Sequence, residues 1–113
     1  MNIYNKSSVT EACKKYKNAK LALEIWYEEV LSKKWKTPNQ IKQEYRGNVS
    51  VLKNSRVVFN IKGNDFRLVA VINYENGWVF IKFIGTHIEY DEIDANTINI
   101  YLAKGNTKKK NSK

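Results

Sequence analysis

Arg67, Lys82, His87 and Tyr90 are the residues of this chain whose types and spacing could do chemistry. His87 is the only histidine, and it sits in Gly85-Thr86-His87-Ile88-Glu89-Tyr90-Asp91. Thr86 and Glu89 have capping-box spacing, which puts His87 at the first position of a helical turn. Free backbone N–H groups at such a turn favour an anion such as phosphate. Tyr90 and Asp91 follow three and four residues on, so they share a face with His87. Arg56, Lys62, Arg67 and Lys82 are the four cations of segment 56–96, which also carries six carboxylates. An imidazole, a phenol and cations around a phosphate pocket suit RNA cleavage. There the substrate brings its own nucleophile, the 2′-OH, and the protein supplies a base, a cation for the phosphorane and an acid for the leaving 5′-oxygen. Such a site needs no metal and no cofactor, and no Cys/His cluster in the sequence has metal-ligand spacing. A structural reading of the same residues also stands: a histidine beside a threonine cap, a tyrosine that packs, and cations paired with local carboxylates.

The elements that must position these residues are three apolar runs at 57–61, 66–73 and 78–84, rich in Val, Ile and Phe. Lys62-Gly63-Asn64-Asp65 joins the first two, and Tyr74-Glu75-Asn76-Gly77 joins the last two. Connections this short imply antiparallel neighbours, hence a meander. Strand alternation places Arg67 with Val69, Val71 and Asn73 on one face, and Lys82 with Trp78, Phe80 and Ile84. An arginine on a mostly apolar strand must lie in a cleft, pair or snorkel. Gly85 is expected to let the chain leave the sheet. Ahead of the meander, Ser8 and Glu11 have capping-box spacing and open a first helix carrying Val9, Ala12, Cys13 and Tyr16. A second helix over 18–33 carries Leu23, Trp26, Tyr27, Val30 and Leu31. Thr37-Pro38-Asn39-Gln40 starts a third, with Thr37 as N-cap, Pro38 at its first position and Gln40 at its third, the spacing of a capping box. Weak strand signals lie at 2–5 and 49–52, and Ile98, Ile100 and Leu102 alternate as a last strand would. Helices followed by an antiparallel sheet of three to four strands give an α+β domain over 1–104, and 105–113 read as a disordered basic tail.

With 113 residues, 42% hydrophobic, the chain suits one domain with a real core. No apolar run is long enough to span a bilayer, and the first fifteen residues lack the apolar segment of a secretory signal. The expectation is a cytoplasmic protein without a membrane partner. The net charge of +9 is unevenly spread: residues 1–55 carry eleven Lys and Arg against five acids, and residues 97–113 carry five Lys and no acid. That distribution suits a polyanionic partner such as RNA, or simply a soluble surface. Cys13 falls on an apolar helical stripe and reads as a small buried hydrophobe.

RVVFNIKGNDFRLV and IKFIGTHIEYDEID resemble signature blocks of the HigB toxins of type II toxin–antitoxin systems, a branch of the RelE/ParE-like superfamily. LALEIWYEEVLSKKWKTPNQIKQEY, with its Trp35-x-x-Pro38 step, resembles the helical region of that family. The resemblance covers about residues 8–97. It implies helices against a curved antiparallel sheet, and a ribosome-dependent endoribonuclease that cuts mRNA in the A site. It implies neutralisation by an antitoxin, commonly a helix-turn-helix protein of the HigA kind. Carried over, Arg67 would stabilise the phosphate, and His87 and Tyr90 would handle protons or orient substrate. Lys82 would assist, while Arg56, Asn60, Lys62, Asn64 and Asp91 would contact RNA along the cleft. Position 82 departs from the family by holding Lys where Arg is expected as often, which removes a bidentate contact. A non-catalytic toxin of the ParE kind, or an RNA-binding module, is the alternative on the same scaffold.

Overall fold

The computed structural model describes residues 1–99. In chain order they form β1 (Asn2–Tyr4), α1 (Lys6–Lys15), α2 (Lys20–Leu31), α3 (Pro38–Tyr45), β2 (Val49–Val51), β3 (Arg56–Ile61), β4 (Phe66–Asn73), β5 (Trp78–Thr86) and α4 (His87–Asp91). A short 3₁₀ turn, Lys17–Ala19, joins the first two helices. The architecture is α+β, and the meander β3-β4-β5 lies at its centre. The sheet has five strands, not three to four, in the order β1-β5-β4-β3-β2. It is also mixed: β1 runs parallel to β5, with Asn2 opposite Trp78 and Tyr4 opposite Phe80. The stretch at 98–99 forms no strand, and Ile100, Leu102 and the basic tail lie outside the described residues.

The helices cover one face of the sheet. Trp26 and Trp35 pack on Phe59 at ring-centroid distances of 5.4 and 6.1 Å, and Leu23, Val30 and Ile41 are fully buried around them. From the sheet, Val57, Leu68, Ile72, Val79 and Ile81 complete this core. Burial on this scale is the main favourable term in folding. A second, smaller cluster lies on the opposite face, where Val58, Val69 and Phe83 are covered by Tyr90, Ile93, Ala95 and Ile98. Thus α4 and the segment after it lie across the far side of the sheet.

Thr37 caps α3 with the expected reciprocal box, and Pro38 takes its first position. The Ser8–Glu11 box does not form. Helix α1 begins earlier, at Lys6, behind Asn5 in the left-handed region, and Ser8 turns inward to 1% exposure. Ser8 lies on the same stripe as Val9, Ala12 and Cys13, so burial of that stripe overrides its capping preference. Helix α2 begins at Lys20 and not at 18, because Lys17–Ala19 take the tighter 3₁₀ turn.

The alternation expected along β5 fails at Lys82. The β4–β5 ladder passes from Val69↔Phe83 directly to Ala70↔Ile81, which leaves Lys82 as the extra residue of a bulge. Trp78 and Phe80 therefore share the outer face with Phe83, while Ile84 returns to the core beside Leu68. Gly85 stays in the strand. Its lack of a side chain is needed for close packing, since a Cβ there would lie 2.6 Å from Phe83 Cζ and 2.9 Å from Glu89 Oε1.

Candidate functional site

Arg67 faces away from the helices, opposite Asn60 on β3 and Gly85 on β5. Its Nη1 donates to the carbonyls of Asn64 (2.9 Å) and Phe66 (3.3 Å), so the β3–β4 turn holds one edge of the guanidinium. The guanidinium carbon sits 5.7 Å from the centre of the Tyr90 ring, a cation–π arrangement. Among the described residues it has no carboxylate partner. A half-buried guanidinium with unused donors and no counter-ion suits a phosphate.

The turn below it is built for hairpin geometry. Lys62 and Gly63 both have positive φ, +54° and +65°, and Asp65 N–H closes the turn on the Lys62 carbonyl. Lys62 Nζ lies 3.6 Å from Asp65 Oδ2, with both side chains largely exposed. Asn64 is exposed at the tip.

The Thr86–Glu89 capping box forms in full. Glu89 Oε1 accepts the Thr86 N–H at 2.8 Å and also the Tyr16 phenol at 2.7 Å. Tyr16 is buried, with its ring against Phe66. Its pKa is pushed well above the ordinary value, first by burial and then by its hydrogen bond to Glu89 and the charge of that carboxylate. The His87 N–H donates to the Asp65 carbonyl at 2.9 Å. That amide is therefore committed to the protein, and the expected free N–H cradle for an anion is reduced. His87 Nδ1 lies 3.1 Å from Asp91 Oδ2. An Nδ1–H held by a carboxylate leaves Nε2 as the nitrogen with a lone pair to accept a proton. Tyr90 is half-buried; burial raises its phenol pKa, the Arg67 guanidinium opposes this, and Asp91 adds to it.

Arg67, Asn60, Lys62, Asn64, His87, Tyr90 and Asp91 thus gather at one end of the sheet, on its outer side. Two candidates lie apart. Lys82 stands at the bulge, about 8 Å along the ladder from Arg67 at roughly 3.3 Å per residue. Arg56 is at the far end of β3, opposite Val71. Its Nη1 donates to the carbonyls of Ala95 (3.1 Å) and Ile98 (2.9 Å), which ties down the chain after α4. In the sequence Glu89 is legible only as a cap, and no motif there marks the partnership with Tyr16, whose phenol joins the end of α1 to the turn that carries His87. The only hint was its position on the stripe with Val9, Ala12 and Cys13.

Among the described residues no three His, Cys, Asp or Glu side chains come together as a metal site. A recess of about 550 Å³ between α1 and α2 holds none of the candidate residues. It includes Cys13, whose thiol pKa burial pushes up. No helix among the described residues is long and apolar enough to cross a membrane.

Comparison with known proteins gives a consistent result. Residues 19–93 match the HigB toxin family, described as the RelE-like toxic component of a toxin–antitoxin system. The chain is similar to the mRNA interferase HigB of Escherichia coli O6:H1, with 33% identity over 95 residues, 82% of this chain and 91% of that protein. It is also similar to the mRNA interferase toxin HigB of Escherichia coli K12 and the mRNA interferase HigB of Shigella flexneri. Each is 28% identical over 93 residues, 80% of this chain and 88% of the relative.

Proposed function

Since the chain belongs to the HigB toxin family, we propose that it is an mRNA endoribonuclease that arrests translation by cutting messages on the ribosome. Family membership implies an antitoxin partner; a helix-turn-helix protein of the HigA kind fits that role. The observation that carries the reading is the Arg67 guanidinium, unpaired by any carboxylate among the described residues and set over the Tyr90 ring, at the same end of the sheet as the His87–Asp91 pair.

The reaction proceeds by attack of the 2′-OH on the adjacent phosphate. His87 Nε2 accepts the hydroxyl proton, while Asp91 holds Nδ1–H and fixes the tautomer. Arg67 stabilises the charge on the phosphorane oxygens, with Lys82 and Lys62 adding to the local positive field. The P–O5′ bond breaks and Tyr90, whose raised pKa keeps its proton at neutral pH, donates it to the leaving oxygen. The products are a 2′,3′-cyclic phosphate and a 5′-OH. Asn60 and Asn64 flank Arg67 and contact the RNA backbone.

Purified protein added to translating ribosomes should yield new mRNA 5′-OH ends and matching 2′,3′-cyclic phosphates. Arg67→Ala, His87→Ala and Tyr90→Phe should abolish these ends and relieve growth arrest. Arrest without any new RNA ends would overturn the reading in favour of a non-catalytic toxin.

A further inference from the structure

At the end of the sheet remote from Arg67, the N-terminus and the β4–β5 turn meet the loop between α2 and α3. A recess of about 280 Å³ there is lined by Met1, Asn2, Lys33, Lys34, Lys36 and Asn76, with no carboxylate in its walls. The Met1 ammonium is held by the carbonyls of Val30 and Leu31, each at 3.3 Å, and by that of Lys33. Burial, and then the charge of Lys34, lower its pKa below the ordinary amino-terminal value. Two like charges are therefore kept close together. Lys33 is taken up by Glu44 at 3.3 Å, but neither Lys34 nor Lys36 has an ion pair or side-chain hydrogen bond among the described residues.

Next to this recess the outer face of the sheet is uncovered and aromatic. The parallel pairing of β1 with β5 sets Tyr4 beside Phe80 and Asn2 beside Trp78. Tyr4 and Phe80 have ring centroids 5.6 Å apart, and Phe80 and Trp78 are stacked at 6.3 Å with planes 27° apart. Tyr4 is 55% and Trp78 38% exposed. Large rings left in water, at the same end of the sheet as a recess with two lysines that have no ion pair among the described residues, supply the two features that hold unpaired RNA. The π-faces accept bases and the cations take phosphates, largely regardless of sequence. A purely apolar protein segment would use the rings and leave the lysines unanswered.

We propose that this end of the molecule is a second RNA-contact surface, formed by Tyr4, Phe80 and Trp78 with Lys34 and Lys36, which docks an unpaired RNA stretch outside the cleavage site. The inference rests on the RNA-directed function above for its purpose, though the contact itself needs no catalysis. Ribosomal RNA and a remote stretch of the message share the required chemistry.

Trp26 and Trp35 are 3% and 2% exposed, so quenching of tryptophan emission by an RNA ligand reports on Trp78. The probe is a short, labelled 2′-O-methyl oligouridylate, which lacks the nucleophile and cannot be cut. Expected results are saturable quenching, binding that weakens with salt, and a fall of about 1.4 in the magnitude of the salt slope for Lys34→Glu/Lys36→Glu. Tyr4→Leu should weaken binding with an unchanged slope, and Arg67→Ala should leave probe quenching intact. Crosslinking from position 34 in ribosome complexes then separates ribosomal RNA from message. No saturable quenching, or binding lost in Arg67→Ala and kept in the double lysine variant, would overturn the proposal. If the wild-type protein binds the probe but produces no mRNA ends, the catalytic reading fails and this one stands.

Discussion

Replacing Tyr16 by Phe removes one oxygen from a buried contact that joins α1 to the turn carrying His87. The phenol donates to Glu89 Oε1 at 2.7 Å, and the same oxygen accepts the Thr86 N–H. A hydrogen bond to a charged acceptor contributes about 1.5–3 kcal/mol net. Glu89 keeps its Thr86 partner and is half-exposed, so water can replace the phenol, and the lower end applies: roughly 1.5 kcal/mol, or a Tm fall of about 6–12 °C for a domain near 100 residues. The pH dependence gives an independent reading. The folded state holds the Tyr16 proton more tightly than the unfolded chain does, because burial and Glu89 raise its pKa above the ordinary 10. That stabilisation is complete below pH 10 and is lost as pH rises through the higher folded value. Tyr45, Tyr74 and Tyr90 shift in the same direction, so the native protein should weaken above pH 10, and Tyr16→Phe should weaken less steeply. Urea titrations at pH 7 and at stepwise higher pH measure both effects. A loss below about 0.5 kcal/mol at pH 7, with an unchanged alkaline slope, would refute the contact as described.

Gly85→Ala should cost about 1–3 kcal/mol in urea denaturation, because the new methyl meets both the Phe83 ring and the Glu89 carboxylate. Arg56→Ala should destabilise by about 1–3 kcal/mol through two abandoned carbonyls. It should speed hydrogen exchange across residues 95–98 while the folded fraction still cleaves mRNA. Asp91→Asn should lower the cleavage rate on the order of tenfold or more, with little change in Tm because both partners of the His87 pair are largely exposed; initial rates of mRNA cleavage and a thermal melt check it.

Where local chemistry alone decides, the chain could be read directly. The β4 boundaries follow from one apolar run between two turn signals, and the Thr37 and Thr86 boxes follow from three-residue spacing. The cluster of Arg67, His87, Tyr90 and Asp91 was legible because one hairpin and one capped turn bring it together. What escaped depends on distant partners. The bulge at Lys82 lets Ile81 and Ile84, three residues apart, both face the helices, which strict alternation cannot express. Arg56 looked like an RNA contact because no sequence rule shows that the chain returns at Ala95 and Ile98 to take its donors. Ser8 matched a cap motif and was drawn into the core with its helix. The parallel seat of β1 rests on contacts about 75 residues apart, where Asn2 meets Trp78.

That same seat governs when the molecule becomes complete. Among the described strands, β5 alone pairs with both the opening segment and the rest of the meander. A polypeptide cut short before Trp78 has α1, α2, α3 and two of the three meander strands, yet its first strand has nothing to lie against and it lacks His87. The opening strand and the turn that carries His87 therefore both wait on β5, one for its pairing partner and the other for the strand end from which it starts.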